Sequence, residues 1–244
     1  MLPHRIEPQQ KCLRITLIVT NPGFTENKLA RFLKLILVIG LMVPLASLVG
    51  CLSKTSYPSY YVLSVPTPLP ANAHSKPMFG QVAVREFRAP AFLKEGPIVY
   101  RQSPEQIDFY TYHRWVEDPR RVVTAAFARR IQASGLFQSV DLLDGHESAT
   151  CLLTGTLDHL EEVDRGATVS VEVSISARLL NLRTGEVLWQ DTKSKTTKLE
   201  RRSMHGIVTQ MSDDVGDLVE GLVSSMQERV SAEALALKRT NTNE

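Results

Sequence analysis

Cys51 is the side chain whose surroundings most clearly prescribe a reaction. Its thiol follows Leu48-Val49-Gly50, at the end of an uncharged run of 15 residues from Leu35 to Val49, and Lys28, Arg31 and Lys34 stand just before that run. A basic stretch, an apolar stretch and small residues in that order make a secretory signal. A membrane-spanning helix takes about 20 apolar residues, and this shorter run is interrupted by Pro44. The segment therefore reads as a cleavable leader and not as a permanent span.

The order Leu-Val-Gly-Cys resembles the bacterial lipobox. There diacylglycerol is attached to the cysteine sulfur, the chain is cut before the cysteine, and the new amino group is acylated. On this reading residues 1–50 are a signal peptide, Cys51 carries covalent lipid such as palmitate, and multiple acyl chains suffice to hold the protein on a membrane. Signals usually run to about 15–30 residues, so a leader of this length leaves room for a start at Val19 or Leu29. Six of the 28 basic residues and two of the 26 acidic ones lie in residues 1–50, so the mature part carries 22 against 24 and a net charge near −2. The positive balance of the whole chain belongs to the leader, and the mature part lacks an overall electrostatic footprint for nucleic acid.

Other residues with chemical potential are scattered. Asp158, His159, Glu161 and Glu162 form the best metal-like group, but alternate residues of a strand face opposite ways. His159 and Glu161 then part from Asp158 and Glu162, leaving two ligands per face where a metal needs three or four, so the group reads as a charged strand end. Asp213 and Asp217 lie one helical turn apart and read as a solvated face. His113-Arg114-Trp115 reads as an aromatic wedge packing a loop on a helix. Arg120, Arg121, Arg129 and Arg130 read as the wet side of a helix, and Cys151, beside Leu152 and Leu153, as a buried hydrophobe. The sequence contains no Gly-x-Ser-x-Gly, His-Glu-x-x-His, Walker, Cys-x-x-Cys or Gly-x-Gly-x-x-Gly pattern. The expectation is a protein with no catalytic residues, no metal and no cofactor beyond the lipid on Cys51.

The elements that position these residues follow from periodicity. Residues 51–58 form a short tether, and residues 59–237 are expected to fold as one α+β domain with a largely antiparallel sheet covered by two main helices. Tyr60–Val65, Gln81–Phe87, Ile98–Arg101 and Ile107–Tyr112 read as strands, the last two joined as a hairpin through Ser103-Pro104-Glu105. Asp118-Pro119 starts a helix and Gly135 ends it, with Val123, Phe127 and Ile131 on one face. Phe137–Leu143 follows as a strand. Val169 to Leu179 alternates apolar and polar residues without a break, the mark of a sheet with one buried and one wet face. Leu153–Val163 before it and Val187–Lys195 after it, across a turn using Gly185, complete a three-stranded meander. Ile207, Met211, Val215, Leu218, Val219, Leu222, Met226 and Val230 form a long helical stripe that covers the sheet. Ser212 falls off that stripe, so Ser212→Asp is expected to be mild. Residues 238–244 read as a polar, frayed tail.

Taken in order, Tyr60-Tyr61-Val62-Leu63, Val82-Ala83-Val84 through Ala91-Phe92-Leu93, Ile98-Val99-Tyr100-Arg101, Arg114-Trp115-Val116-Glu117-Asp118-Pro119 and Val140 resemble the ABC-type transport auxiliary lipoproteins. The paraquat-inducible protein C group belongs among them. Members often show Trp-Ala-Glu-Pro where this chain has Trp115-Val116-Glu117-Asp118-Pro119, one residue longer. The resemblance implies a non-enzymatic accessory of a transporter with MCE (mammalian cell entry) domains, moving lipid between two membranes, with an MCE protein as partner and a homo-oligomer left open. Leu52 after the lipidated cysteine implies the periplasmic face of the outer membrane. Two other readings stand beside it: a different envelope-assembly lipoprotein, such as a secretion or cell-wall-synthase helper, and a lipid-tethered enzyme.

Overall fold

The computed structural model describes residues 31–37, 56–66, 77–142 and 149–242, with side chains as far as residue 232. The chain divides into two units, Met1–Thr55 and Ser56–Glu244. In the first, residues 31–37 are helical and exposed. Cys51 and the rest of the leader's apolar run lie outside the described residues.

The second unit holds strands β1 (Ser59–Tyr61), β2 (Phe79–Val84), β3 (Pro97–Ser103), β4 (Gln106–Trp115), β5 (Phe137–Leu142), β6 (Cys151–Asp164), β7 (Val169–Asn181) and β8 (Val187–Leu199). Helix α1 (Pro119–Ser134) lies between β4 and β5, and α2 (Met204–Thr242) closes the chain. The fold is α+β. The eight strands form one mixed sheet in the order β1-β4-β3-β6-β2-β5, with β7 also on β6 and β8 on β7. The antiparallel ladders are the long ones: β6 with β7, β7 with β8, and β3 with β4. The parallel pairs are shorter, β1 with β4, β2 with β5 and β6, and β3 with β6. β6 is the axis of the sheet: β7 occupies one edge along its whole length, while β2 and β3 share the other.

The meander takes the form expected from its alternation. Val171, Val173, Ile175 and Leu179 are fully buried, and each such side chain contributes roughly 1.5–3 kcal/mol of hydrophobic stabilisation. Their face meets α2, whose Ile207, Met211, Val215, Leu222, Val223 and Met226 are buried with them in one core. The covering stripe is wider than the eight spaced residues, since Val208, Ser212, Asp214 and Val223 are buried as well. Ser212 is therefore not off the covered face, which corrects the expectation that a charge there is tolerated. The helix also continues to Thr242, over most of the stretch read as a frayed tail.

α1 is fixed locally. The Asp118 side chain accepts the Arg120 N–H at 3.0 Å, Pro119 occupies the first turn, and Gly135 caps the other end at φ +66°. Val123, Phe127 and Ile131 are wholly buried. Phe127 stacks at 4.9 Å on Phe87, which lies so close to β6 that a Cβ at Gly155 would stand 2.3 Å from its ring. Only a glycine at 155 lets that strand pass the ring. Among the described residues no helix is long and apolar enough to cross a membrane.

Candidate functional site

The acidic group on β6 is taken up by pairing within the fold. Asp158 is the extra residue of a bulge between Leu157 and His159, and it accepts the Ser176 hydroxyl. His159 and Glu161 do fall together, with Nδ1 3.2 Å from Oε1, as the alternation expects. Glu161 and Glu162 are both fully buried, so the charges read as a strand end lie inside the domain. Arg101 Nε donates to Glu161 at 2.8 Å, and the Tyr110 hydroxyl donates to Glu162 at 2.6 Å. Arg202, just before α2, lies 2.9 Å from Glu162 and 2.6 Å from Asp164. Burial and the bond to Glu162 push the Tyr110 hydroxyl up to about 12. The hydrogen bond to Glu161 raises the Arg101 guanidinium. Taking a carboxylate out of water costs several kcal/mol unless a cation and donors meet it, and here each has both. Among the described residues no group of three or more His, Cys, Asp or Glu is arranged to hold a metal.

A second set joins β8 to α2. Asp213 and Asp217 are both exposed, as the reading of a solvated face expects, and Asp217 accepts Lys195 Nζ at 2.5 Å. Between them Asp214, which the spacing did not single out, is fully buried and lies 2.8 Å from Lys195 Nζ, with Gln210 Nε2 at 2.9 Å and Thr197 Oγ1 at 3.1 Å. Hydrogen bonds to both aspartates raise the Lys195 ammonium. No base and nucleophile meet here; one lysine clamps two acids.

The remaining candidates are also structural. Trp115 is buried in the core, His113 Nδ1 lies 3.0 Å from the Tyr61 hydroxyl, and Arg114 donates to the Glu95 carbonyl at 3.0 Å. Of the four arginines on α1, Arg121 and Arg129 are exposed, but Arg130 is buried and pairs with Glu220 of α2. Part of the row expected to be wet is thus the seam between the helices. Cys151 is a free, buried cysteine whose thiol is raised by burial.

Two surfaces remain. Arg85, Arg88 and Arg178 line an open groove of about 490 Å³ with Thr154, Thr156, Ser176, Asp191 and Glu86, the last paired with Arg120 and Arg121 of α1. It is polar and carries both signs of charge. At the amino-terminal corner, Tyr57, Tyr60, Val62 and Val116 are each more than half exposed. Val62 and Val116 border one hollow, with Arg121 and Arg129 on its rim.

From the first strand to the middle of α2, residues 61–223 match the model of the family described as ABC-type transport auxiliary lipoprotein component. The chain belongs to that family. As an ABC transport auxiliary lipoprotein, it shares its fold with a solved Xanthomonas campestris protein of the DUF330 family, at 16% identity and a TM-score of 0.60, over 72% of this chain and 99% of that one. A second solved structure, of an uncharacterized protein, is similar at 13% identity and a TM-score of 0.53, over 68% of this chain and 95% of the other. No curated protein sequence matches. The membership agrees with the resemblance carried by Tyr60-Tyr61-Val62-Leu63 and Arg114-Trp115. It points to an association with an ABC transporter and to a lipid-anchored place in the cell envelope.

Proposed function

We propose that this lipoprotein is a non-catalytic accessory of an MCE-type ABC transporter, serving intermembrane lipid transport and envelope integrity. It is anchored through acylated Cys51 to the periplasmic face of the outer membrane and binds the MCE protein through its folded surface. The match of residues 61–223 to an ABC transport auxiliary lipoprotein carries the reading. Two features of the chain support it. The lipobox order before Cys51 supplies the anchor, and the buried acids Glu161, Glu162 and Asp214 are each met by a cation or hydrogen-bond donors within the fold. Confinement at a membrane raises effective concentration towards a partner in the same compartment without any chemistry on the chain.

The test uses the full chain made in a diderm bacterium. Mass spectrometry should find acyl chains on Cys51, and Cys51→Ser should accumulate as an unprocessed precursor. The purified lipoprotein should retain the cognate MCE protein of the same bacterium, and its gene deletion should reproduce the detergent sensitivity of the MCE deletion. A peptide crossing Gly50-Cys51 in the mature protein would sink the anchor. A deletion that behaves as wild type while the MCE deletion does not would sink the partnership.

A further inference from the structure

Most exposed apolar side chains of a folded domain are scattered, and a cluster of them marks a contact surface. Tyr57, Tyr60, Val62 and Val116 are exposed by 81%, 62%, 63% and 61%. Tyr60, Val62 and Val116 are also close together, and Tyr57 precedes Tyr60 by three residues. Tyr60 is the register partner of Arg114, two residues before Val116, and the Val116 N–H donates to the Tyr61 carbonyl at 2.9 Å, continuing the ladder beyond β4. Val62 and Val116 therefore flank the same end of the β1–β4 pair, and both line the hollow there. On its rim stand Arg121 and Arg129 from α1, with Glu117 beside them, and Arg121 also lies 3.4 Å from Glu86. Two tyrosines, two valines and a basic rim suit a boundary that is apolar on one side and anionic on the other. Tyrosine is enriched at that level of a bilayer, and basic residues near an anionic surface add to the attraction.

Chain length decides which boundary. Cys51 precedes Ser56 by five residues, and at about 3.4 Å each these reach no more than roughly 17 Å. If Cys51 is acylated, Tyr57, one residue further on, starts within roughly 20 Å of its lipid. We infer that this corner is a membrane-contact surface: Tyr57, Tyr60, Val62 and Val116 enter the interfacial zone of the bilayer holding the acyl chains, and Arg121 and Arg129 face lipid phosphates. The inference rests on the proposed anchor at Cys51. It adds that the domain lies on its membrane in one orientation instead of swinging freely on the tether.

The lipidated full chain, reconstituted in vesicles of phosphatidylethanolamine and phosphatidylglycerol, tests it. An environment-sensitive fluorophore is placed on Val62→Cys, Val116→Cys or, as a control in the turn after β7, Thr184→Cys, with unsubstituted lipoprotein as the blank for Cys151. The expected result is blue-shifted emission and quenching by nitroxide-labelled lipids at 62 and 116 but not at 184. Val62→Asp, exposed and so tolerated by the fold, should abolish the quenching at 116 while the protein still floats with the vesicles. Labels at 62 and 116 that stay in water on floating protein would overturn the contact surface and leave the anchor standing. Protein that does not float would overturn both. Shielding that rises with protein concentration without lipid would identify a second copy as the occupant and overturn the membrane assignment.

Discussion

The backbone N–H of Ser64 donates to the Ser212 hydroxyl at 3.1 Å, and that hydroxyl donates in turn to the Val208 carbonyl at 2.9 Å. One small side chain thus ties the segment after β1 to α2. Ser212→Ala should cost about 1–3 kcal/mol by leaving the Ser64 N–H unmet, and Ser212→Asp more, because a carboxylate cannot donate to Val208. Urea melts followed by circular dichroism measure both. Wild-type midpoints for Ser212→Asp would show that the segment at Ser64 is not held by α2.

Val215 and Leu222 have no exposed surface. Val215→Asp or Leu222→Asp puts an unpaired charge against the sheet and should cost roughly 3–5 kcal/mol, a large part of the 5–15 kcal/mol typical of a domain. The readout is the soluble folded fraction together with the urea midpoint. Variants that melt as wild type but no longer bind a partner would make the stripe an interface.

Gly155→Ala should destabilise by about 1–3 kcal/mol, since the new methyl meets the Phe87 ring and the packing cannot yield freely. Phe87→Leu alone opens space beside Phe127 and should also destabilise. Combined, the two should cost less than their sum, because the smaller side chain makes room for the methyl. Additive losses in a double-mutant cycle would mean that the ring is not what the glycine accommodates.

Asp118 carries the pH prediction. Burial would raise its carboxyl, but the Arg120 side chain and backbone N–H outweigh burial and hold it below the ordinary range. A carboxyl lowered on folding contributes stability that is fully present above the unfolded value near 3.9 and is lost as pH falls through the folded one. Asp118→Asn keeps the cap and removes the charge. Its deficit against wild type should be constant above about pH 5 and shrink as pH falls below about 4. A deficit independent of pH would show that the charge does not matter.

The parts legible in the sequence are those with local causes. Asp118-Pro119 and Gly135 bound α1 by capping, and β7 reveals itself because one face is wet. The strand order was not legible. β2 and β3 both lie beside β6, and a parallel pair leaves no mark on neighbouring residues because its partner is far along the chain. The burial of the acids was not legible for the same reason: Glu161 reads as part of a charged strand end until Arg101, 60 residues away, is placed beside it. Asp214 differs from Asp213 and Asp217 only in which way it turns on α2, which depends on where β8 brings Lys195 and Thr197. Val62 reads as an ordinary strand residue and Val116 only as part of the family pattern, since their exposure follows from both lying at the end of the β1–β4 ladder.

The two-sided use of β6 also sets an order of events. A chain delivered amino end first presents β2 and β3 long before Cys151–Asp164 emerges, and until then neither has its neighbour on that side. Val82, Val84, Ile98 and Val99, all buried in the finished domain, stay uncovered through that interval. Long-range pairing of this kind is slow, and transiently open strand edges invite association. The domain must therefore close nearly as a whole once its middle has arrived, and its early strands are most open to association while they wait for β6.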